Sequence, residues 1–148
     1  MKFYETHYED YYHSVEKYNF HPLLEEQYKK FPKHISGFEN TIVYGPGGSG
    51  KYSQVLYLLK RYSPSQLKYE KKITACTEKQ SYTYKISDIH YEIDMALLGC
   101  NSKQLWHEIF IQIVDIVSMK NDNKFGVIVC KNFHSIHNEL LEIFYSYI

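Results

Sequence analysis

Apolar and polar residues alternate between helical and strand periods along the chain, and the order of those periods outlines the fold. Two helical stretches come first, roughly Tyr8 to Tyr18 and Pro22 to Lys30; the second is opened by proline, a residue tolerated in the first helical turn, and closed by Phe31-Pro32. A short β-branched and aromatic run, Thr41 to Tyr44, meets a glycine cluster, and a helical pattern follows with Val55, Leu56, Leu58 and Leu59 on one side. Beyond Ser63-Pro64, the segments Lys71 to Cys76, Ser81 to Ile86 and His90 to Asp94 are short and alternating, as strands are. Gly99 breaks the chain. Asn101 and Ser102 then offer N-caps for a long amphipathic helix through about Ser118, with Leu105, Trp106, Ile109, Ile113, Ile116 and Val117 at helical spacing. In such a stripe Trp106 reads as a core residue. After the polar turn Asn121 to Lys124, Phe125 to Cys130 reads as a strand buried on both faces of a parallel sheet, and a last helix spans roughly Ser135 to Tyr147.

Strands alternating with helices predict a three-layer α/β fold with a mostly parallel sheet. A chain of 148 residues with 44% hydrophobic content supports one core. Within it, residues 1–38 read as a helical lead-in and 39–148 as the α/β core.

Composition adds little to this outline until the charges are placed. Lysine plus arginine and aspartate plus glutamate both number 17, so net charge singles out neither nucleic acid nor membrane as a partner. Positive charge gathers after the glycine cluster, however. Lys51, Lys60, Arg61, Lys68, Lys71, Lys72, Lys79 and Lys85 stand against only Glu70 and Glu78 there, a bias that suits phosphate and equally suits a solvated face. The widely spaced cysteines Cys76, Cys100 and Cys130 fit free thiols in a reducing, intracellular compartment. No run approaches the length of a membrane span.

The segment Gly45-Pro46-Gly47-Gly48-Ser49-Gly50-Lys51 fits the phosphate-loop spacing of two glycines five apart followed by lysine. Glycines let backbone amides converge on phosphate oxygens, the next helix adds the positive end of its dipole, and Lys51 supplies a point charge. With a strand predicted before and a helix after, Gly45 through Ser53 is the expected site for ATP or ADP. The position after the lysine normally carries the hydroxyl that binds magnesium; here it is Tyr52, and Ser53 comes one residue late. The strand Phe125 to Cys130 runs into Lys131-Asn132-Phe133-His134 with no carboxylate to hold the metal. Asp94 is the only acidic strand end left. Magnesium binding and hydrolysis are both compromised on this reading. His134, His137 and Glu139 fall short of a zinc set, and the single arginine, Arg61, is too little for a phosphoryl-transfer kinase.

With these residues placed, the chain resembles the small subunits of replication factor C, the AAA+ clamp loader. The likeness is to the type whose phosphate loop has a non-hydroxyl residue after the lysine and then serine or threonine, matched from Gly45 to Ser53. Ile89-His90-Tyr91-Glu92-Ile93-Asp94, followed by Gly99-Cys100-Asn101-Ser102, is similar to that family's strand and glycine-asparagine turn before a long helix. The resemblance spans roughly Pro22 to the C-terminus. It implies a nucleotide-holding subunit with weak or no hydrolysis, working with other clamp-loader subunits, a sliding clamp and primer-template DNA, and it implies no membrane. The family's module would continue into a sensor strand, a finger motif, a helical lid and a collar, so a fragment is expected. The compositional bias resembles that of large DNA viruses, which implies the nucleus or a cytoplasmic viral replication site. Two alternatives stay open: an active NTPase using Ser53 and Asp94, and a nucleotide-free assembly scaffold.

Overall fold

The computed structural model describes residues 4–148, which divide into two compact units meeting in sequence at Glu70 and Lys71. The protein is α/β, with five α-helices and one four-stranded sheet among the described residues. None of these helices is long and apolar enough to cross a membrane.

The first unit is helical. Helix α1 (Tyr8–Lys17) starts where the His7 amide donates to Asp10 Oδ2 at 2.8 Å, so a carboxylate both closes the first turn and faces the positive end of the helix dipole. Its buried stripe, Tyr8, Tyr12 and Val15, has helical spacing and faces helix α3 (Lys51–Lys60), which buries Leu56 and Leu59. Lys60 joins the two helices, its ammonium 4.4 Å from the Tyr12 ring centre and bonded to Glu16. The Lys60 hydrogen bond, opposed by partial burial, holds the Glu16 carboxyl below its usual range. On α3 the buried polar residue is Gln54, while Val55 is only half-buried.

Helix α2 (Pro22–Tyr28) buries no side chain of its own, and aromatic contacts fix the chain after it. Phe31 meets Phe38 at 5.3 Å between ring centres, and Phe38 meets Tyr62 edge-on at 5.6 Å. The Tyr62 hydroxyl donates to the Pro32 carbonyl and Arg61 to the Tyr28 carbonyl, closing this segment onto the end of α3.

The second unit is a sheet in the order β1 (Lys71–Cys76), β2 (Ser81–Ile86), β3 (His90–Asp94), β4 (Val127–Lys131), with α4 (Ser102–Ser118) between β3 and β4 and α5 (Asn138–Phe144) after them. The expected mostly parallel sheet is not what forms. Only β3 and β4 run parallel, and the other two pairings are antiparallel. The reason is connection length, since Thr77–Gln80 and Ser87–Ile89 are too short for anything but antiparallel neighbours, whereas α4 spans the parallel crossover. Register puts one set of side chains on one face: Ile73 opposite Tyr84, Ala75 opposite Tyr82, Ile86 opposite Tyr91, Tyr91 opposite Ile128, and Ile93 opposite Cys130. Leu105, Trp106, Ile109 and Ile113 of α4 and Leu140 and Phe144 of α5 complete that core. Trp106 is a core residue, as its spacing predicts, 5.2 Å from Phe144 between ring centres.

Three boundaries differ from the sequence expectation. Thr41–Tyr44 forms no strand. It is exposed, with Ile42 at 88% and Tyr44 at 90%, because the only sheet among the described residues is built from the other strands. Strand β4 is half-buried along its length and stands at the sheet edge, where two buried faces were expected. The last helix is preceded by a separate 3-10 turn, Phe133–Ser135, set off by Asn132 in the left-handed region at φ 52°.

Among the described glycines, Gly126 has the closest neighbours for an added side chain. A Cβ there would lie 2.9 Å from Tyr91 Cε2 and 3.0 Å from Val117 Cγ2. Gly126→Ala is therefore expected to lower unfolding stability by about 1–3 kcal/mol, read as a shift in the urea midpoint; an unchanged midpoint would mean that α4 and β3 yield freely at this point.

Candidate phosphate-binding site

The site lies wholly within the first unit. The chain enters it through the exposed Thr41–Tyr44 segment and turns at Pro46, whose carbonyl accepts the Ser49 hydroxyl at 2.8 Å. Gly48 and Gly50 adopt left-handed φ values of 73° and 80°. Steric crowding is not why these positions are glycine, since a Cβ on Gly47, Gly48 or Gly50 would meet nothing within 4 Å. At Gly48 and Gly50 the constraint is the backbone angle, which a side chain disfavours. Gly50 is also the N-cap of α3, its carbonyl accepting the Gln54 amide at 3.1 Å. Left-handed glycines leading into a helix N-terminus make a concavity of backbone amides, the arrangement that suits an anion.

Lys51 is the first residue of α3, and its ammonium donates to the carbonyls of Gly45 at 2.8 Å and Pro46 at 2.5 Å. The one cation of the loop is thus folded across the loop's own entrance. A phosphate placed here would offer that ammonium an anionic acceptor, a stronger partner than the two neutral carbonyls.

Tyr52 turns toward the N-terminal helix. Its ring meets Tyr11 of α1 edge-on, 4.7 Å between centres and 80° between planes. The position that would carry a metal-binding hydroxyl is therefore used for packing. Ser53, one residue on, is half-buried on α3.

A second set of contacts reaches the loop from the α1–α2 connection. The His21 ring donates through Nε2 to the Ser49 carbonyl at 2.7 Å; because a carbonyl can only accept, Nε2 carries the proton. The His21 amide donates to Asn19 Oδ1, which also accepts from Gln54 Nε2 at 2.8 Å. Gln54 in turn accepts from the Tyr28 hydroxyl at 2.9 Å. Burial pushes the Tyr28 phenol up to about 12, so it stays protonated and donating across the ordinary pH range. No sequence motif marks His21, Asn19, Gln54 or Tyr11 as part of the site. The residues are far apart in sequence, and no local pattern marks a side chain that grips a distant carbonyl.

Elsewhere the predicted chemistry is dispersed. Asp94 ends β3 and Asn132 directly follows β4, in the second unit. The Asn132 amide donates to both Asp94 carboxylate oxygens at 3.1 Å, and the Ala96 amide donates to Oδ1 at 3.0 Å. Asp94 is thus engaged in closing the strand ends. Among the described residues, no group of three or more histidines, cysteines or acids is placed to hold a metal ion. The lysines after the loop are divided between the units: Lys51, Lys60, Arg61 and Lys68 precede the boundary, and Lys71, Lys72, Lys79 and Lys85 follow it. Lys60 and Arg61 border an open cleft of about 410 Å³ with Glu16, Tyr57, Ser63 and Gln66, toward the C-terminal end of α3 and away from the loop. Cys76, Cys100 and Cys130 are free thiols, and burial pushes Cys130 up to about 12, which keeps it inert.

The loop's dependence on its backbone angles is open to measurement. Gly50→Ala forces a side chain into φ 80° and is expected to cost about 1–2 kcal/mol in a denaturant melt of the whole chain; no loss would mean that the loop relaxes to another conformation. Comparison with models of known protein families gives no match to this chain, and comparison with curated proteins gives none either.

Proposed function

We propose that Gly45–Ser53 binds the phosphates of ATP or ADP, and that the protein is a nucleotide-holding P-loop subunit with weak or no hydrolysis. The observation that carries the reading is the pair of left-handed glycines, Gly48 and Gly50, opening directly into α3 with the Lys51 ammonium beside the loop. In this account the amides around Gly48–Lys51 and the helix dipole bind the terminal phosphates. Lys51 leaves the Gly45 and Pro46 carbonyls for a phosphate oxygen.

Magnesium does not fit as a resident partner. Tyr52 packs on Tyr11, and the Asp94 carboxylate is taken by Asn132 and Ala96. Binding is therefore expected to persist without the metal, and turnover to be slow. The active-NTPase alternative needs Ser53 and the carboxylate of Asp94, which already accepts from Asn132 and Ala96.

The finer reading is a three-layer AAA+ module acting as a clamp-loader-like subunit. Its partners would be other subunits of that assembly, a sliding clamp and primer-template DNA. Two things support it: the sequence resemblance over the loop and over Ile89–Ser102, and the parallel pairing of β3 with β4 across α4. The exposed Thr41–Tyr44 segment counts against it, since a P-loop fold places a sheet strand before its phosphate loop and none forms there.

The test is equilibrium binding of fluorescent ATP and ADP with and without magnesium, beside Lys51→Ala, with hydrolysis followed on the same samples. Expected are affinities on the order of micromolar, little changed by chelation and weakened about tenfold or more by Lys51→Ala, with no turnover above background. Magnesium-dependent turnover lost in Lys51→Ala would establish the active NTPase instead. No binding to the wild-type chain would leave the assembly scaffold.

A further inference from the structure

We propose that His21 is a positioning residue for the phosphate loop, holding the Ser49–Gly50 peptide so that the Gly50 amide faces the phosphate; this rests on the phosphate-loop reading above. Among the described residues every peptide is trans, and in a planar trans peptide the carbonyl and the following amide point in opposite directions. Holding the Ser49 carbonyl outward therefore holds the Gly50 amide inward. The bond that does so comes from the His21 Nε2 at 2.7 Å.

Flexibility makes the bond matter. Gly50 reaches φ 80° without strain and reaches other values as easily, so glycine permits the loop geometry without enforcing it. The two other carbonyls of the loop with side-chain donors, Gly45 and Pro46, are held from within the loop by Lys51 and Ser49. Lys51 must leave them when it meets a phosphate. His21 is the donor from outside the loop, so its grip on Ser49 survives that exchange.

The histidine is itself anchored. Its amide is fixed by Asn19 Oδ1, which the buried Gln54 side chain also holds, and Gln54 is held by Tyr28. Because Gln54 also bonds through its amide to the Gly50 carbonyl, helix α3, the loop and the α1–α2 connection meet in one hydrogen-bonded set around Gly50. The N-terminal segment is by this account a working part of the nucleotide site. It presets the amide cradle and lowers the ordering that a phosphate would otherwise impose on a glycine-rich loop.

The test compares wild type, His21→Phe, His21→Gln and Lys51→Ala in binding of ADP and ATP with chelator present, with thermal melting of each. His21→Phe keeps a ring but removes the donor and is expected to weaken binding about tenfold. His21→Gln restores an N–H at similar reach and is expected to bring affinity back to within about threefold of wild type. All four chains should melt within a few degrees of one another. If wild type binds, Lys51→Ala does not, and His21→Phe binds like wild type, the inference is overturned while the phosphate-loop reading stands. Equal weakness of His21→Gln and His21→Phe at unchanged melting would also overturn it, because the donor would then not be the cause. If wild type itself binds neither nucleotide, the underlying reading fails and takes the inference with it.

Discussion

On the proposed function, the loop would bind phosphate through its backbone and would need its carbonyls held away from its amides, and the hydrogen bonds of the first unit suit that requirement. Three side chains hold loop carbonyls in the absence of phosphate, Lys51 those of Gly45 and Pro46, Ser49 that of Pro46 and His21 that of Ser49, and the last two bonds survive the departure of Lys51. The helices behave as supports for this arrangement. Helix α1 packs along α3, Tyr11 backs the first turn of α3 at Tyr52, and the connection to α2 brings His21 to the loop. Tyr52 fits the same logic. A small hydroxyl in its place would give up the ring contact with α1, so metal chemistry and N-terminal packing compete for one position.

The second unit solves a different problem, a small sheet whose apolar core lies on one face. Alternation puts Tyr84, Ile86, Tyr91 and Ile93 under α4, and register carries the same face across all four strands. Strand β3 is buried on its other face too. There His90 and Glu92 lie two residues apart and share a hydrogen bond, Nε2 to Oε1 at 3.2 Å, while the Ser87 hydroxyl meets His90 Nδ1. Polar groups this deeply buried need such partners, since an unmade hydrogen bond in the interior costs on the order of 1–3 kcal/mol.

Long periodic segments were readable because periodicity is local. The stripes of α3 and α4, the hairpin strands β1 and β2, and Trp106 as core all follow from spacing within a dozen residues or so. The helix-containing pattern suggests a mostly parallel sheet, but the lengths of Thr77–Gln80 and Ser87–Ile89 carry the better signal for pairing direction. Thr41–Tyr44 has strand composition without strand structure, because a strand is defined by a neighbour and composition names none. The loop itself was visible from its glycines. Its supports were not, since His21 and Ser49 are 28 residues apart and the bond between them depends on how the intervening helix packs.

The central claim is that backbone amides of the loop are the phosphate ligands, and amide chemical shifts test it most directly. In a 15N-labelled whole chain titrated with ADP in the presence of chelator, the account predicts saturable shifts at Gly48, Gly50 and Lys51, with smaller ones at the residues that hold them. Unmoved loop amides at saturating ADP, or shifts confined to residues elsewhere, would contradict it.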